Sequence, residues 1–377
     1  MKYYLIAGEA SGDLHGSNLI KAIKSQDSNA VIHAWGGDLM EAAGAKLVKH
    51  FSELAFMGFA EVIMHLPTIL GNLKFCKKDI LQFQPDVLVL IDYPGFNLRI
   101  AKWAKQQQIK VAYYISPQVW AWKENRVPAM KKNIDRMMVI LPFEKEYFKN
   151  KWNWEVDYVG HPLVEVVDTF FANEHYEKLN EHFSKPVISL LPGSRKQEIS
   201  KKLPIMLEVS KSFPGYHFMI AKAPGIEDVF YENFTTKFSN VTVVKNKTYA
   251  LLSIASASLT TSGTATLETA LFGVPEVVCY KGSPVSYFIA KRLIKIKFIS
   301  LVNLIMDKEV VKELIQDELT PQNLRIELKK ILDDKTNITR LQKEYETLKN
   351  ILSAGGNASA NAAAIIVGFA NEKKLNA

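Results

Sequence analysis

Two kinds of residue gather where the apolar runs of this chain stop. In the first half they are carboxylates. "AGEASGDLHG" (7–16) carries Glu9 and Asp13 with Ser11 between them, and "IDYPGFN" (91–97) sets Asp92 just before a Pro-Gly turn. In the second half they are small residues and a cation. "LLPGSR" (190–195) offers Gly193, Ser194 and Arg195, and "TTSGTATLE" (260–268) offers Ser262, Gly263, Thr264 and, one helical turn on, Glu268.

The carboxylates suit sugar hydroxyls better than phosphate. Gly8, Gly12 and Gly16 are four apart, which is not the dinucleotide spacing, and no P-loop lysine follows. Asp92 is a candidate general base aimed into a crevice, or an aspartate that only stabilises its turn. Ser11 or Asp13 could equally cap the helix that follows. The small residues of the second half would let backbone N–H groups approach a phosphate closely. A helix N-terminus contributes typically about 0.3–1 kcal/mol for an anion, and a charge-assisted arginine bond about 1.5–3 kcal/mol. A capping loop explains either stretch alone but not both in one domain. The anion expected beside Arg195 is a diphosphate on a nucleoside, with Glu268 accepting from ribose hydroxyls. There is no D-x-D pair to hold a metal there, so neither metal nor cofactor is expected and protein donors must stabilise the leaving group. After "IKVAYYIS" (109–116), Trp120 and Trp122 stand near Lys123 and Arg126, as core aromatics or as a seat for an anionic, greasy molecule.

These residues need a scaffold that brings strand ends together. "YYLIAG" (3–8), "VIHAWGG" (31–37), "PDVLVLID" (85–92), "IKVAYYIS" and "DRMMVILP" (135–142) alternate with helical patterns. A polar stretch, 172–186, interrupts the rhythm. It restarts at "VISLLPG" (187–193) and continues through "YHFMIAK" (216–222), "VTVVK" (241–245), "ASLTTSG" (257–263) and "PEVVCY" (275–280). Runs apolar on both faces, separated by helices, predict parallel sheets with βαβ crossovers. The class is α/β, in two doubly wound domains, 1–170 and 186–350, joined by a linker near 161–186. A last helix, 355–377, is expected to pack back on the first domain.

The bulk composition agrees. At 377 residues the chain is long for one core and comfortable for two. It is 48% hydrophobic and 23% charged, with a net charge of +8, which admits nucleic acid, anionic membranes or phosphorylated substrates as partners. Cys76 and Cys279 lie far apart with no metal spacing, which fits a reducing compartment. The start of the chain has too few apolar residues for a signal peptide. Its longest uncharged stretch of interest, Val62–Leu73, is twelve residues broken by Pro67 and Gly71, where a spanning helix needs about 20. A cytoplasmic protein that does not span a membrane is expected.

In order along residues 5–325, "AGEASGD", "IDYPGFN", "SPQVWAW", "LPFE", "GHPL", "LLPGSR" and "SGTATLE" resemble the motifs of the lipid-A-disaccharide synthases. These are family-19 glycosyltransferases of the GT-B fold, two Rossmann-like domains facing across a cleft. The resemblance implies an acceptor-binding first domain and a second that binds the UDP-sugar. It implies inverting, metal-independent transfer from UDP-2,3-diacylglucosamine to 2,3-diacylglucosamine 1-phosphate, giving the β-1,6 lipid A disaccharide 1-phosphate and UDP. Asp92 matches the family's essential aspartate and Arg195 its UDP-binding arginine; Glu9 and Asp13 stay open as alternative bases. Peripheral attachment to the inner membrane through inner-leaflet phospholipids, and a homodimer by exchange of C-terminal segments, are also implied. Two departures stand out. Gly95 replaces a carboxylate the family often carries, and "SLVN" (300–303) replaces "SLPN", which weakens the match of Asn303 to a nucleotide ligand.

Rival readings are another GT-B N-acetylglucosamine transferase with a lipid-linked acceptor, a UDP-sugar 2-epimerase, and a nucleic-acid binder. An epimerase needs no acyl surface, yet "FMGFAEVIMHLPTILGNL" (56–73) is apolar beyond one helix face and is followed by Lys74, Lys77 and Lys78. Residues 281–306 add Lys281, Lys291, Arg292, Lys295 and Lys297 with no acid. Met57, Ile63, Leu66 and Ile69 are the expected membrane and acyl contacts, unless 56–73 is simply core. No nucleic-acid partner is expected, since no recognition signature appears.

Overall fold

Tyr3 and Leu5 belong to one buried cluster and Tyr4 and Ile6 to another, and all four are fully buried. A strand with apolar residues on both faces needs cover on both, and βαβ crossovers supply it. The structure is a computed structural model that describes residues 1–54, 66–173, 179, 184–283, 287 and 297–372. It forms two units, Met1–Pro162 with Leu352–Ala377, and Leu163–Ile351.

The first unit runs β1 (Lys2–Ile6), α1 (Ala10–Gln26), β2 (Val31–Gly36), α2 (Asp38–Ala42), β3 (Lys46–His50), α3 (Leu66–Phe83), β4 (Val87–Ile91), α4 (Pro94–Gln106), β5 (Val111–Tyr114), α5 (Val127–Asn133), β6 (Arg136–Val139), α6 (Pro142–Trp152) and β7 (Asp157–Tyr158). Among the described residues its strands are all parallel, in the order β3-β2-β1-β4-β5-β6-β7. One face packs Leu73, Cys76 and Ile80 of α3 with Phe96 and Ile100 of α4. The other packs Leu19, Ile20 and Ile23 of α1.

The second unit begins in α7 (Pro162–Ala172) and continues β8 (Val187–Leu191), α8 (Lys196–Ser210), β9 (His217–Lys222), α9 (Asp228–Thr235), β10 (Val241–Lys245), α10 (Thr248–Leu252), β11 (Ala255–Thr261), α11 (Thr264–Leu271), β12 (Glu276–Tyr280), α12 (Leu301–Met306), β13 (Lys312–Ile315), α13 (Pro321–Asp333) and α14 (Lys335–Ser353). Its parallel sheet has the order β10-β9-β8-β11-β12-β13. The expected first domain ran to residue 170, but α7 packs with the second unit from Leu163 on. Phe170 and Phe171 lie 5.3 and 5.1 Å from the Phe272 ring, and Tyr249 stacks on the same ring at 5.4 Å.

The chain returns to the first unit as α15 (Ala358–Asn371), whose Ala362, Ala363, Ile366 and Phe369 join the α1 cluster. By length and composition alone, Lys335–Asn371 could cross a membrane. It is nevertheless two helices divided at 354–357, and the apolar face of the second is already packed against α1.

Candidate active site

Each unit has its first strand between its second and its fourth: β1 lies between β2 and β4, and β8 between β9 and β11. Successive crossovers leave such a strand in opposite directions, so a crevice opens beyond its carboxyl end, where open α/β sheets bind ligands. The sequence candidates follow these four strands. Glu9 follows β1, Asp92 follows β4, Gly193–Arg195 follow β8 and Ser262–Thr264 follow β11.

In the first unit the backbone turns sharply after β4. Asp92 and Tyr93 are both left-handed, with φ of 43° and 48°, and Ile115, just past neighbouring β5, has φ of 66°. Non-glycine residues in this region cost on the order of 1–3 kcal/mol each, and they concentrate at functional sites. The turn is held from below. Asn97 Nδ2 donates to the carbonyls of Ile6, Ile91 and Asp92 at 3.3, 3.2 and 2.8 Å, and Tyr113 Oη donates to the Asp92 carbonyl at 2.5 Å. Beside it the Tyr93 ring packs so close to Gly8 that a Cβ there would lie 2.3 Å from the ring, so the second residue past β1 is held to glycine.

Burial, with Glu9 adding its charge, pushes the Asp92 carboxyl up to about 7. Glu144, past β6, is also pushed up to about 7 by burial. It accepts from the Ile140 and Leu141 amides and, at 3.1 Å, from Trp120 Nε1, which fixes that indole. Trp122 is exposed, with Lys123 Nζ 3.9 Å from its ring centroid.

Asp13 is placed differently. Its Oδ1 accepts from the amides of Gly37 (2.7 Å) and Met40 (3.0 Å), and Oδ2 from Leu39 (3.2 Å). The buried carboxylate thus holds the first amides of α2, whereas the cap expected from the sequence was on α1, inside whose first turn Asp13 lies. Ser11 is exposed on the first turn of α1.

In the second unit Gly193 and Gly263 have φ of 120° and 128°, conformations open to glycine at each strand-to-helix turn. Ser194, Gly263 and Thr264 are exposed and Ser262 is half-buried. Arg195 is the N-cap residue of α8, half in solvent, and pairs with Glu198 at 3.1 Å. Glu268 accepts from Tyr249 Oη at 2.8 Å, and burial raises its carboxyl above the usual range.

Asn303 is a correction. Its Oδ1 accepts from the Val310 and Val311 amides at 2.8 and 3.0 Å, and its Nδ2 donates to the Val311 carbonyl and Glu313 Oε1, both at 2.9 Å. Fully buried and with every hydrogen-bonding position used, it braces α12 against β13 and has nothing left for a nucleotide.

Lys202 carries no signal in the sequence patterns. It is almost fully buried on α8 and donates to Thr261 Oγ1 at the end of β11, with Nζ 3.5 Å from where a Gly193 Cβ would stand. Burial holds its ammonium below the usual lysine range. Only its place two turns after an exposed Arg195 could have flagged it. Met57, Ile63 and the side chain of Leu66 lie outside the described residues, and Ile69 is partly buried against the α3–α4 cluster.

A family model described as lipid-A-disaccharide synthetase matches residues 3–367. The lipid-A-disaccharide synthase of Geobacter metallireducens is 38% identical over 376 residues, covering 98% of this chain and 97% of its own. That of Coxiella burnetii (strain CbuK_Q154) is 36% identical over 367 residues, covering 96% of each. Among solved structures, the glycotransferase of kitacinnamycin superposes with a TM-score of 0.68 at 15% identity, covering 98% of both chains. A UDP-GlcNAc 2-epimerase from Neisseria meningitidis bound to UDP-GlcNAc gives 0.66 at 14%, covering 98% of this chain and 99% of that one. The fold is therefore GT-B, two Rossmann-like units, and transferases and epimerases share it, so architecture alone does not choose between them. Near-full-length sequence identity does, and by that measure the chain belongs to the lipid-A-disaccharide synthase family.

Proposed function

We propose that this glycosyltransferase works through Asp92 as general base and through the two second-unit loops as the diphosphate site. It makes the lipid A disaccharide: a UDP-activated 2,3-diacylglucosamine is the donor and 2,3-diacylglucosamine 1-phosphate the acceptor. The first unit holds the acceptor and the second the donor. Asp92 takes the proton of the acceptor 6-hydroxyl as that oxygen attacks the anomeric carbon, the bond to the diphosphate breaks, and UDP leaves with inverted product. The observation that carries this reading is the Asp92 carboxyl, raised to about 7 on a strained turn at the β1/β4 crevice. A base is most effective with its pKa near the working pH.

Charge grows on the leaving diphosphate as the bond breaks, so Arg195 and the amides of Gly193, Ser194 and Ser262–Thr264 act mainly on the transition state. Tyr249 fixes Glu268, whose free oxygen is then available to a ribose hydroxyl. Lys202, just beneath the Gly193 turn, adds positive charge from within.

Acyl-chain substrates place the enzyme at the cytoplasmic face of the inner membrane, on phospholipid. Leu70 and Phe75 of α3 are exposed among the exposed lysines Lys74 and Lys78, a pattern suited to lying in an interface. The α15–α1 packing, made here within one chain, is the contact that a dimer with exchanged C-terminal helices would reuse.

The direct test is UDP release from UDP-2,3-diacylglucosamine with and without 2,3-diacylglucosamine 1-phosphate. Release that requires the acceptor, with a disaccharide product, is expected. Interconversion at C2 of UDP-GlcNAc without acceptor would replace the reading with an epimerase.

A further inference from the structure

The α4 and α5 helices do not close against each other. Between them lies a groove of about 300 Å³ that starts at Pro94 and Gly95, directly after the Asp92-Tyr93 turn. Each helix contributes one stripe, spaced three and four residues apart: Gly95, Leu98, Arg99 and Lys102 from α4, and Arg126, Ala129, Met130 and Asn133 from α5 and the residue before it. The floor is apolar. Ala101, Met130 and Ile134 are at most 4% exposed. Gly95 leaves the mouth open, since a Cβ added there would meet nothing within 4 Å.

The rim is charged and of one sign. Arg99, Lys102 and Arg126 border the groove, no Asp or Glu lines it, and among the described residues none of the three forms an ion pair. Three cations without a counter-charge beside an apolar slot fit an anionic amphiphile: head on the rim, chain on the floor. They fit a neutral acyl chain or a free nucleotide less well, because each would leave one half of the groove unused.

We infer that the α4–α5 groove receives one acyl chain of the acceptor sugar, with the acceptor's phosphate on Arg99, Lys102 and Arg126. This rests on the reading of Asp92 as base, because the groove's mouth is contiguous with that turn. It makes Leu98, Ala129 and Met130 determinants of acyl length, and the three cations determinants of the anionic head.

The experiment measures acceptor KM for purified wild type and variants in detergent micelles, using 2,3-diacylglucosamine 1-phosphates of decreasing acyl length. Calorimetric UDP affinity and melting temperature serve as folding controls. Burial is worth about 0.8 kcal/mol per methylene, so wild-type KM should rise up to about fourfold for each methylene removed while the groove is being emptied. Ala129→Trp, at an exposed position, fills the slot. It should raise KM for the longest acceptor about tenfold and flatten the chain-length dependence, with UDP affinity unchanged. Ala129→Leu is the milder variant if the tryptophan does not fold. The Arg99→Ala/Arg126→Ala pair should raise acceptor KM at least about tenfold for every chain length. An identical chain-length dependence in wild type and the filled variants, with acceptor KM intact in the arginine pair, overturns the inference while leaving the proposed function standing. The inference is equally overturned if the variants lose only binding to phosphatidylglycerol vesicles, which would make the groove a phospholipid seat. Absence of acceptor-dependent UDP release in wild type would instead sink the proposed function itself.

Discussion

The two units share one strand order around their first strands, yet they carry opposite residue types at the equivalent crevice. Beyond β1 and β4 stand carboxylates on a backbone forced left-handed at Asp92 and Tyr93, with Asn97 and Tyr113 holding the strained turn. Beyond β8 and β11 stand glycines in the conformations they adopt readily, an arginine and the exposed residues Ser194 and Thr264. On the proposed reading the first crevice holds the base on a braced turn with a raised proton affinity, and the second presents donors to an anion. Topology decides where a site forms, and residue type decides which half of a transfer reaction it can serve.

The comparison breaks hardest at Asp92. Asp92→Asn keeps the shape but not the basicity, and turnover is expected to fall by about 10²–10⁴ with UDP affinity intact. Stability should move the other way. A carboxyl raised to about 7 binds its proton more tightly folded than unfolded, so it subtracts stability as pH rises from the ordinary carboxylate range through about 7. The asparagine variant should therefore melt higher than wild type at pH 8 and no higher at pH 4. Near-normal turnover in it would move the base to Glu9.

In the second crevice Arg195→Ala is expected to weaken UDP binding by about ten- to a hundredfold by calorimetry. Arg195→Lys should restore only part of it, since a point charge lacks the bidentate fork. Unchanged affinity would remove Arg195 from the diphosphate site.

How much of this is legible in the sequence depends on burial pattern. The apolar runs from "YYLIAG" to "PEVVCY" all contain strands, because strands covered on both faces cannot hide among polar residues. Of the four sheet edges only β10 is legible. β3 (KLVKH) and β13 (KELI) have only two apolar residues each, beside charged ones, and β7 is two residues long. Strand-end motifs locate both crevices, but not what each side chain does there. Asp13 and Ser11 look alike as caps or site residues until the α2 amides settle on Asp13. Asn303 follows a family motif, and only its four bonds reveal a brace. Lys202 turns inward from a helix whose other lysines are exposed, a difference that sequence spacing does not carry.

The Asp13 cap gives the next smaller effect. Asp13→Ala strands three amides at the start of α2 and should cost about 1–3 kcal/mol of stability by chemical denaturation. Asp13→Asn, which keeps one acceptor oxygen, should cost less. Turnover per folded molecule should stay within about threefold in both. A collapse of turnover at full stability would return Asp13 to the chemistry.

Glu9 offers the finest test of the first crevice, because it acts there through its charge. Its carboxylate is the second cause, after burial, of the raised Asp92 proton affinity. As the proposed base, Asp92 would work deprotonated, so kcat/KM should climb with pH through a limb near 7. Glu9→Gln removes the neighbouring negative charge and leaves the burial, so the limb should move to lower pH by roughly half a unit to one unit. It should not fall to the ordinary carboxylate range, since desolvation remains. Added salt should shift wild type in the same direction by less, because a partly buried pair is only weakly screened. A limb that stays in place would mean that Glu9 touches substrate instead of tuning the base. A limb that rises would mean that the glutamine blocks water from Asp92, and burial alone would then account for its proton affinity.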